Sequence, residues 1–163
     1  MFPCIIYIMG VSGSGKTTIG RQLAAETGLP FFDGDDFHPV SNINKMKSGQ
    51  PLTDDDRIEW LRSINEMARK QSTNAGAIIA CSALKGKYRD ILAEGITIRV
   101  QWIFLNGSYE VIAERMQQRE PHYMPASLLQ SQFDILEVPA NAIMIDINNT
   151  TGDIVNTIRN KLE

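Results

Sequence analysis

The chain has 163 residues, 43% of them apolar and 21% charged, with a formal net charge of -3. That length fits one domain with a core of its own, and no stretch nears the ~18 apolar residues that a membrane-spanning helix needs. The acidic balance argues against a nucleic-acid backbone as partner, and two lone cysteines, Cys4 and Cys81, outside any C-x-x-C or Cys/His cluster, support neither a disulfide framework nor structural zinc. A single soluble domain over residues 1–163, in a reducing cytoplasm and off the membrane, is the expectation.

Cys4 to Met9 is a continuous apolar run, the pattern of a strand buried on both faces. It has no basic segment before it and no small-residue cleavage site after it, so it reads as core and not as a leader. It runs into Gly10-Val11-Ser12-Gly13-Ser14-Gly15-Lys16-Thr17, which fits G-x-x-x-x-G-K-[ST] at every fixed position. The glycines let the backbone wrap a phosphate with its N–H groups pointing inward. The helix that opens at about Gly15 turns its positive end to the same anion. Lys16 adds a mobile positive charge, and Thr17 offers a hydroxyl to the magnesium that bridges the phosphates. ATP and Mg2+ are therefore the expected cofactors. Neither a guanine-reading N-K-x-D nor a D-x-x-G switch is present, and the chain is short for a motor, so a small kinase fits best.

The second strand, Pro30 to Asp33, is followed by Gly34-Asp35-Asp36-Phe37-His38-Pro39. Asp33 and Asp35 stand one residue apart at a strand's carboxyl end, where open α/β sheets bind ligands, and Gly34 breaks the pleat between them. One carboxylate can hold metal while the other orients a substrate hydroxyl and accepts its proton. An acidic turn capping the next helix is the competing account. His38 gains meaning only from these neighbours. Thr53 followed by Asp54, Asp55 and Asp56 predicts a helix start, with Ile58, Leu61, Ile64 and Ala68 on its inner face.

Ala77 to Cys81 is the third strand, and it ends in Ala80-Cys81-Ser82 without an acidic residue for metal, which moves that duty to Asp33 and Thr17. Lys45, Arg57, Lys85 and Arg89 follow the second and third strands, where they could clamp an anionic acceptor; solvated helix faces compete for each. Ile98 to Leu105 and Ala142 to Ile147 are the fourth and fifth strands. Between them Arg115 and Arg119, four residues apart, share a helix face beside Pro121 to Pro125. This region, around residues 119–135, is expected to be a lid that excludes water and brings guanidinium charge onto the transferring oxygens. Trp60 and Trp102 read as core. The last segment has Asp153 near its start and Val155, Ile158 and Leu162 at helical spacing. The alternation predicts a three-layer α/β fold, a five-stranded parallel sheet with helices on both faces.

Several blocks resemble the gluconokinase family from one end of the chain to the other. They are Asp33 to Pro39; Asn42 to Met46 with Gly49, Pro51-Leu52, Asp54 to Arg57 and Trp60-Leu61; Cys81 to Lys85 with Tyr88-Arg89-Asp90; and His122 to Pro125 with Gln132-Phe133 and Leu136-Glu137. Tyr123 departs from the Phe that the family tends to carry. The resemblance implies a nucleoside-monophosphate-kinase-like P-loop fold, a homodimer, and transfer of the ATP γ-phosphoryl group to the 6-hydroxyl of D-gluconate. On that basis Lys16, Asp33 and Asp35 are the candidate catalytic residues, with Asp33 and Thr17 for metal. Asp35 and His38 are candidates for the polyol chain and Arg57, Lys85 and Arg89 for the carboxylate. Gly10 to Thr17, Arg115 and Arg119 are candidates for the nucleotide. A shikimate-kinase-like enzyme, a nucleotide kinase and a nucleotide-switched regulator are the alternatives, and against the first stands the lack of a Gly-Gly-Gly turn after the third strand.

Overall fold

The computed structural model describes residues 2–119 and 125–163. Its elements in chain order are β1 (Cys4–Met9), α1 (Lys16–Thr27), β2 (Phe31–Asp33), a 3-10 turn (Gly34–Phe37), α2 (Val40–Lys47), α3 (Asp54–Ser72), β3 (Gly76–Ala80), α4 (Gly86–Ala93), β4 (Arg99–Asn106), α5 (Tyr109–Gln117), α6 (Ala126–Ile135), β5 (Ile143–Asp146) and α7 (Thr151–Leu162). The five strands form one parallel sheet in the order β2-β3-β1-β4-β5. The predicted strands are all present, with ends shifted by a residue.

Burial on both faces explains why β1 is apolar throughout: every one of its six residues is buried, with Ile5, Ile6, Ile8 and Met9 fully so. Tyr7 is the polar exception, and its hydroxyl donates to the carbonyl oxygen of Leu92 at 2.8 Å while its ring stacks on Trp102 at 4.6 Å. A buried hydroxyl left without such a partner would destabilise the core by about 1–3 kcal/mol. β1 can lie against β3 because residue 76 is glycine. Its φ is +102°, and a Cβ there would sit 1.9 Å from the Cys4 carbonyl oxygen.

α3 starts where Thr53 predicts. Thr53 Oγ1 accepts the Asp56 N–H at 3.1 Å and the Asp56 carboxylate accepts the Thr53 N–H at 2.8 Å, a reciprocal box that satisfies two otherwise orphaned donors. Its inner face carries Arg57, Trp60, Leu61, Ile64, Asn65 and Ala68, while Ile58 is only half-buried. α7 is capped by Thr150, whose Oγ1 accepts the Asp153 N–H at 3.2 Å without the reciprocal bond, and buries Ile154, Val155, Ile158 and Leu162. α1 packs with α7 on one face of the sheet, and α3 with α4 on the other. The chain moves from β1 outward to β2, returns to β3, and crosses to β4, so the loops after β1, β2 and β3 meet at the sheet's carboxyl edge, where the strand order reverses.

Candidate active site

The loop after β1 is built on glycines in conformations that other residues resist: φ is +149° at Gly10, +79° at Gly13 and +99° at Gly15. A Cβ on Gly10 would fall 2.8 Å from Ser14 Oγ and 3.0 Å from the Leu105 carbonyl oxygen. Gly15 caps α1 with no side chain on its first N–H groups, leaving that helix end open toward an anion. Lys16 folds over the loop, and its ammonium donates to the carbonyl oxygens of Gly10 and Val11, each at 3.0 Å. The surrounding protein pulls the Lys16 pKa down, against the opposing pull of Asp35, Cys81 and Asp33. Ser14 Oγ is buried and has no hydrogen-bond partner among the described residues.

Asp33 ends β2 with both carboxylate oxygens engaged. One accepts the Thr17 hydroxyl at 2.8 Å, the other the Asp35 N–H at 3.0 Å. Gly34 follows because a Cβ there would lie 2.5 Å from the Ala80 carbonyl oxygen, and Trp60 of α3 props the turn by donating its indole N–H to the Gly34 carbonyl at 2.7 Å. The Asp35 carboxyl opens into the cleft, yet the surrounding cleft walls raise its pKa; Lys16 lowers it, and the neighbouring Asp33 and Asp36 add to the rise. His38 stacks on Trp60 with ring centroids 4.2 Å apart. The Asn42 amide donates to the Asp56 carbonyl oxygen at 2.8 Å, and the same nitrogen stands 3.3 Å from His38 Nδ1. That makes Nδ1 an acceptor and puts the imidazole proton on Nε2. Burial, with help from the Arg57 charge, pushes the His38 pKa down to about 4, so the ring is neutral at physiological pH.

The basic residues divide. Arg57 is buried, its guanidinium donating to the Leu52 carbonyl at 2.7 Å and to the Tyr88 hydroxyl at 3.1 Å while lying over the Tyr88 ring. Tyr88 in turn donates to Asp54. Arg57 lines a cleft of about 350 Å³ together with Lys16, Thr17, Asp33, Asp35, His38 and Arg119. Lys85, Arg89 and Arg115 do not line it. Lys85 is drawn to Asp54 at 3.1 Å, in a neighbouring depression. Arg89 is held by the carbonyls of Ala83 and Glu137, at 2.7 and 3.0 Å. Arg115 donates to the Ile147 carbonyl at 2.6 Å, and since α5 ends at Gln117 the shared helical face does not reach Arg119. Of the expected lid, Glu120, Pro121, His122, Tyr123 and Met124 lie outside the described residues.

Two contacts were not legible in the sequence, although residues 126–135 stood in the expected lid. Trp60, read as core, is buried but also walls the cleft. α6 brings Leu128, Ser131 and Gln132 to the cleft, and Gln132 grips the phosphate loop: its Oε1 accepts the Ser12 N–H at 2.8 Å and its Nε2 donates to Ser12 Oγ at 3.1 Å. A neutral carboxamide gives no charge or periodicity signal. Among the described residues no group of three or more His, Cys, Asp or Glu gathers. One hydroxyl and one carboxylate, Thr17 and Asp33, suit magnesium, which keeps waters and phosphate oxygens in its own shell.

A phosphate loop facing a polar acceptor wall is the layout of a small-molecule kinase, and known proteins agree. The family model described as shikimate kinase matches residues 12–158. The thermosensitive gluconokinase of Escherichia coli (strain K12) is 45% identical over 157 residues, spanning 93% of this chain and 83% of its own. The chain belongs to the gluconokinase family. A gluconokinase structure from Sinorhizobium meliloti 1021 superposes with a TM-score of 0.85 at 44% identity, covering 95% of this chain and 89% of its own. A sugar kinase from Janibacter sp. HTCC2649 gives 0.91 at 44% identity, over 99% and 95%. The fold is that of P-loop kinases, and the family is one of sugar kinases. No described helix is long and apolar enough to cross a membrane.

Proposed function

We propose that the chain transfers the γ-phosphoryl group of ATP to the 6-hydroxyl of D-gluconate, giving 6-phosphogluconate and ADP, in the cytoplasm. One observation carries this: a single cleft holds both the phosphate loop and the wall of Asp35, His38 and Arg57, in a chain of the gluconokinase family. The loop N–H groups and the open end of α1 bind the phosphates. Lys16 leaves the Gly10 and Val11 carbonyls to meet their charge. The Thr17–Asp33 pair would hold magnesium, which would supply positive charge to offset that of the phosphates.

On the acceptor side Arg57 faces the cleft with its orientation already fixed by Leu52 and Tyr88, which suits a sugar-acid carboxylate. Neutral His38 offers its Nε2–H to a polyol oxygen. Asp35 accepts the proton as the 6-oxygen attacks: the new O–P bond forms while the bond from the γ-phosphorus to the β,γ-bridging oxygen breaks and ADP leaves. A raised pKa makes Asp35 a better proton acceptor than an ordinary carboxylate. Arg119, also in the cleft, adds positive charge beside the transferring group.

The test is ADP release with MgATP, comparing D-gluconate with glucose, shikimate, AMP and no acceptor. Turnover of about 1–100 per second with gluconate alone is the expected result. Stimulation by shikimate instead would move the acceptor assignment to the family whose model matches the chain, and none by any acceptor would leave only nucleotide binding.

A further inference from the structure

We propose that Gln132 is a positioning residue that fixes α6, one side of the cleft, in register with the phosphate loop. The proposal rests on the phosphoryl-transfer reading above. α6 contributes Leu128, Ser131 and Gln132 to the cleft, but their roles differ. Leu128 is buried apolar packing, and the Ser131 hydroxyl turns back to the Leu128 carbonyl at 2.7 Å within its own helix. Gln132 makes the polar link from this helix to the loop. It makes that link twice, to the N–H and to the hydroxyl of Ser12, across 120 residues of sequence.

The chemistry of the pair is selective. Ser12 presents one obligate donor, its N–H, and a hydroxyl that can accept. A carboxamide answers both, with Oε1 accepting and Nε2 donating, whereas a carboxylate has no donor and would set a negative charge beside bound phosphate. Ser12 lies between Gly10 and Gly13, in the stretch whose carbonyls hold Lys16. A rigid helix is therefore pinned to the phosphate loop at Ser12, and the same helix lines the cleft that also holds Asp35, His38 and Arg57. In-line transfer tolerates little error, since a displacement of ~1 Å can lower the rate about 100-fold. Without Gln132 the loop still binds nucleotide through Lys16 and the end of α1, but α6 loses its register, the acceptor hydroxyl is misaligned, and water gains access to the terminal phosphoryl group.

The experiment uses the full chain with Gln132→Ala and the near-isosteric Gln132→Glu, measuring ADP and 6-phosphogluconate separately, with affinity for a non-hydrolysable MgATP analogue read by calorimetry. For both variants kcat with gluconate should fall about 10-fold or more, ADP formed per phosphogluconate should rise above one, and the analogue affinity of Gln132→Ala should stay within about 3-fold. Variants with kcat within 2-fold of the parent and a product ratio of one overturn the proposal. Should Gln132→Ala fail to fold, Gln132→Glu decides on the ratio of ADP to phosphogluconate, which the added negative charge beside the phosphates does not by itself raise. The parent is assayed alongside: active parent and unaffected variants sink only the role of Gln132, while a parent without gluconate turnover sinks the reaction and this role together.

Discussion

Asp35, His38 and Tyr88 act through different physics, and each yields its own measurement. As the proposed proton acceptor Asp35 must be ionised, and its pKa lies above the ordinary carboxylate value because the cleft walls disfavour its charge. The acid limb of the kcat profile should therefore fall at a higher pH than an unperturbed aspartate would give, and Asp35→Asn should lose about 10²–10⁴-fold in kcat with that limb flattened. His38 tests stability. Its folded pKa of about 4 lies below the ~6.5 of an unfolded histidine, so the unfolded chain takes the proton first as the medium is acidified. The fold should lose stability as pH drops from about 6.5 to 4, with no His38 contribution to pH dependence above that window. Urea unfolding at pH 7 and pH 5 should show a smaller drop for His38→Gln than for the parent. Tyr88 orients Arg57, accepting from its guanidinium while donating to Asp54. Tyr88→Phe should raise the gluconate KM several-fold and leave the ATP KM and kcat near the parent values; a change in kcat alone would remove Tyr88 from carboxylate binding.

Among the elements α3 does most to join fold and site, since its cap starts the helix and its inner face supplies Arg57 and Trp60. Thr53→Ala deletes the capping hydroxyl and should destabilise the protein by about 1 kcal/mol, a fall in Tm of roughly 2–4 °C by calorimetry. This cap was readable in the sequence because its donors and acceptors lie within one turn. The strands were readable for a similar local reason, as buried parallel strands are apolar without interruption, and so were the phosphate loop and the Asp33–Asp35 pair. Partners set by tertiary structure were not. Nothing near Lys85 announces that Asp54 will claim its charge, or near Arg89 that two backbone carbonyls will; a cation's target depends on which acceptor the fold brings. Trp60 looked like packing because a stacked imidazole leaves no trace in spacing, and Gln132, which stood in the expected lid, could not be matched to Ser12 because that partner lies on another element.

At the scale of the whole molecule, the cleft gathers residues from α1, the turn after β2, α3 and α6, so a ligand there bridges parts of the chain that meet only in the native state. Nucleotide should then stabilise the fold by mass action, by about 2.7 kcal/mol at a concentration 100 times its Kd. Thermal unfolding with and without MgATP should show the rise in Tm, reduced by Lys16→Ala. The sheet order adds a constraint on how the protein is made. β1 lies in the middle, between β3 and β4, yet it precedes both in the chain. A ribosome working at roughly 5–20 residues per second therefore delivers Ile5, Ile6 and Ile8 seconds before the strands at Gly76–Ala80 and Arg99–Asn106 that will cover them exist. For that interval a continuously apolar stretch of the nascent chain has no native neighbour, which makes it a segment that a chaperone would be expected to cover.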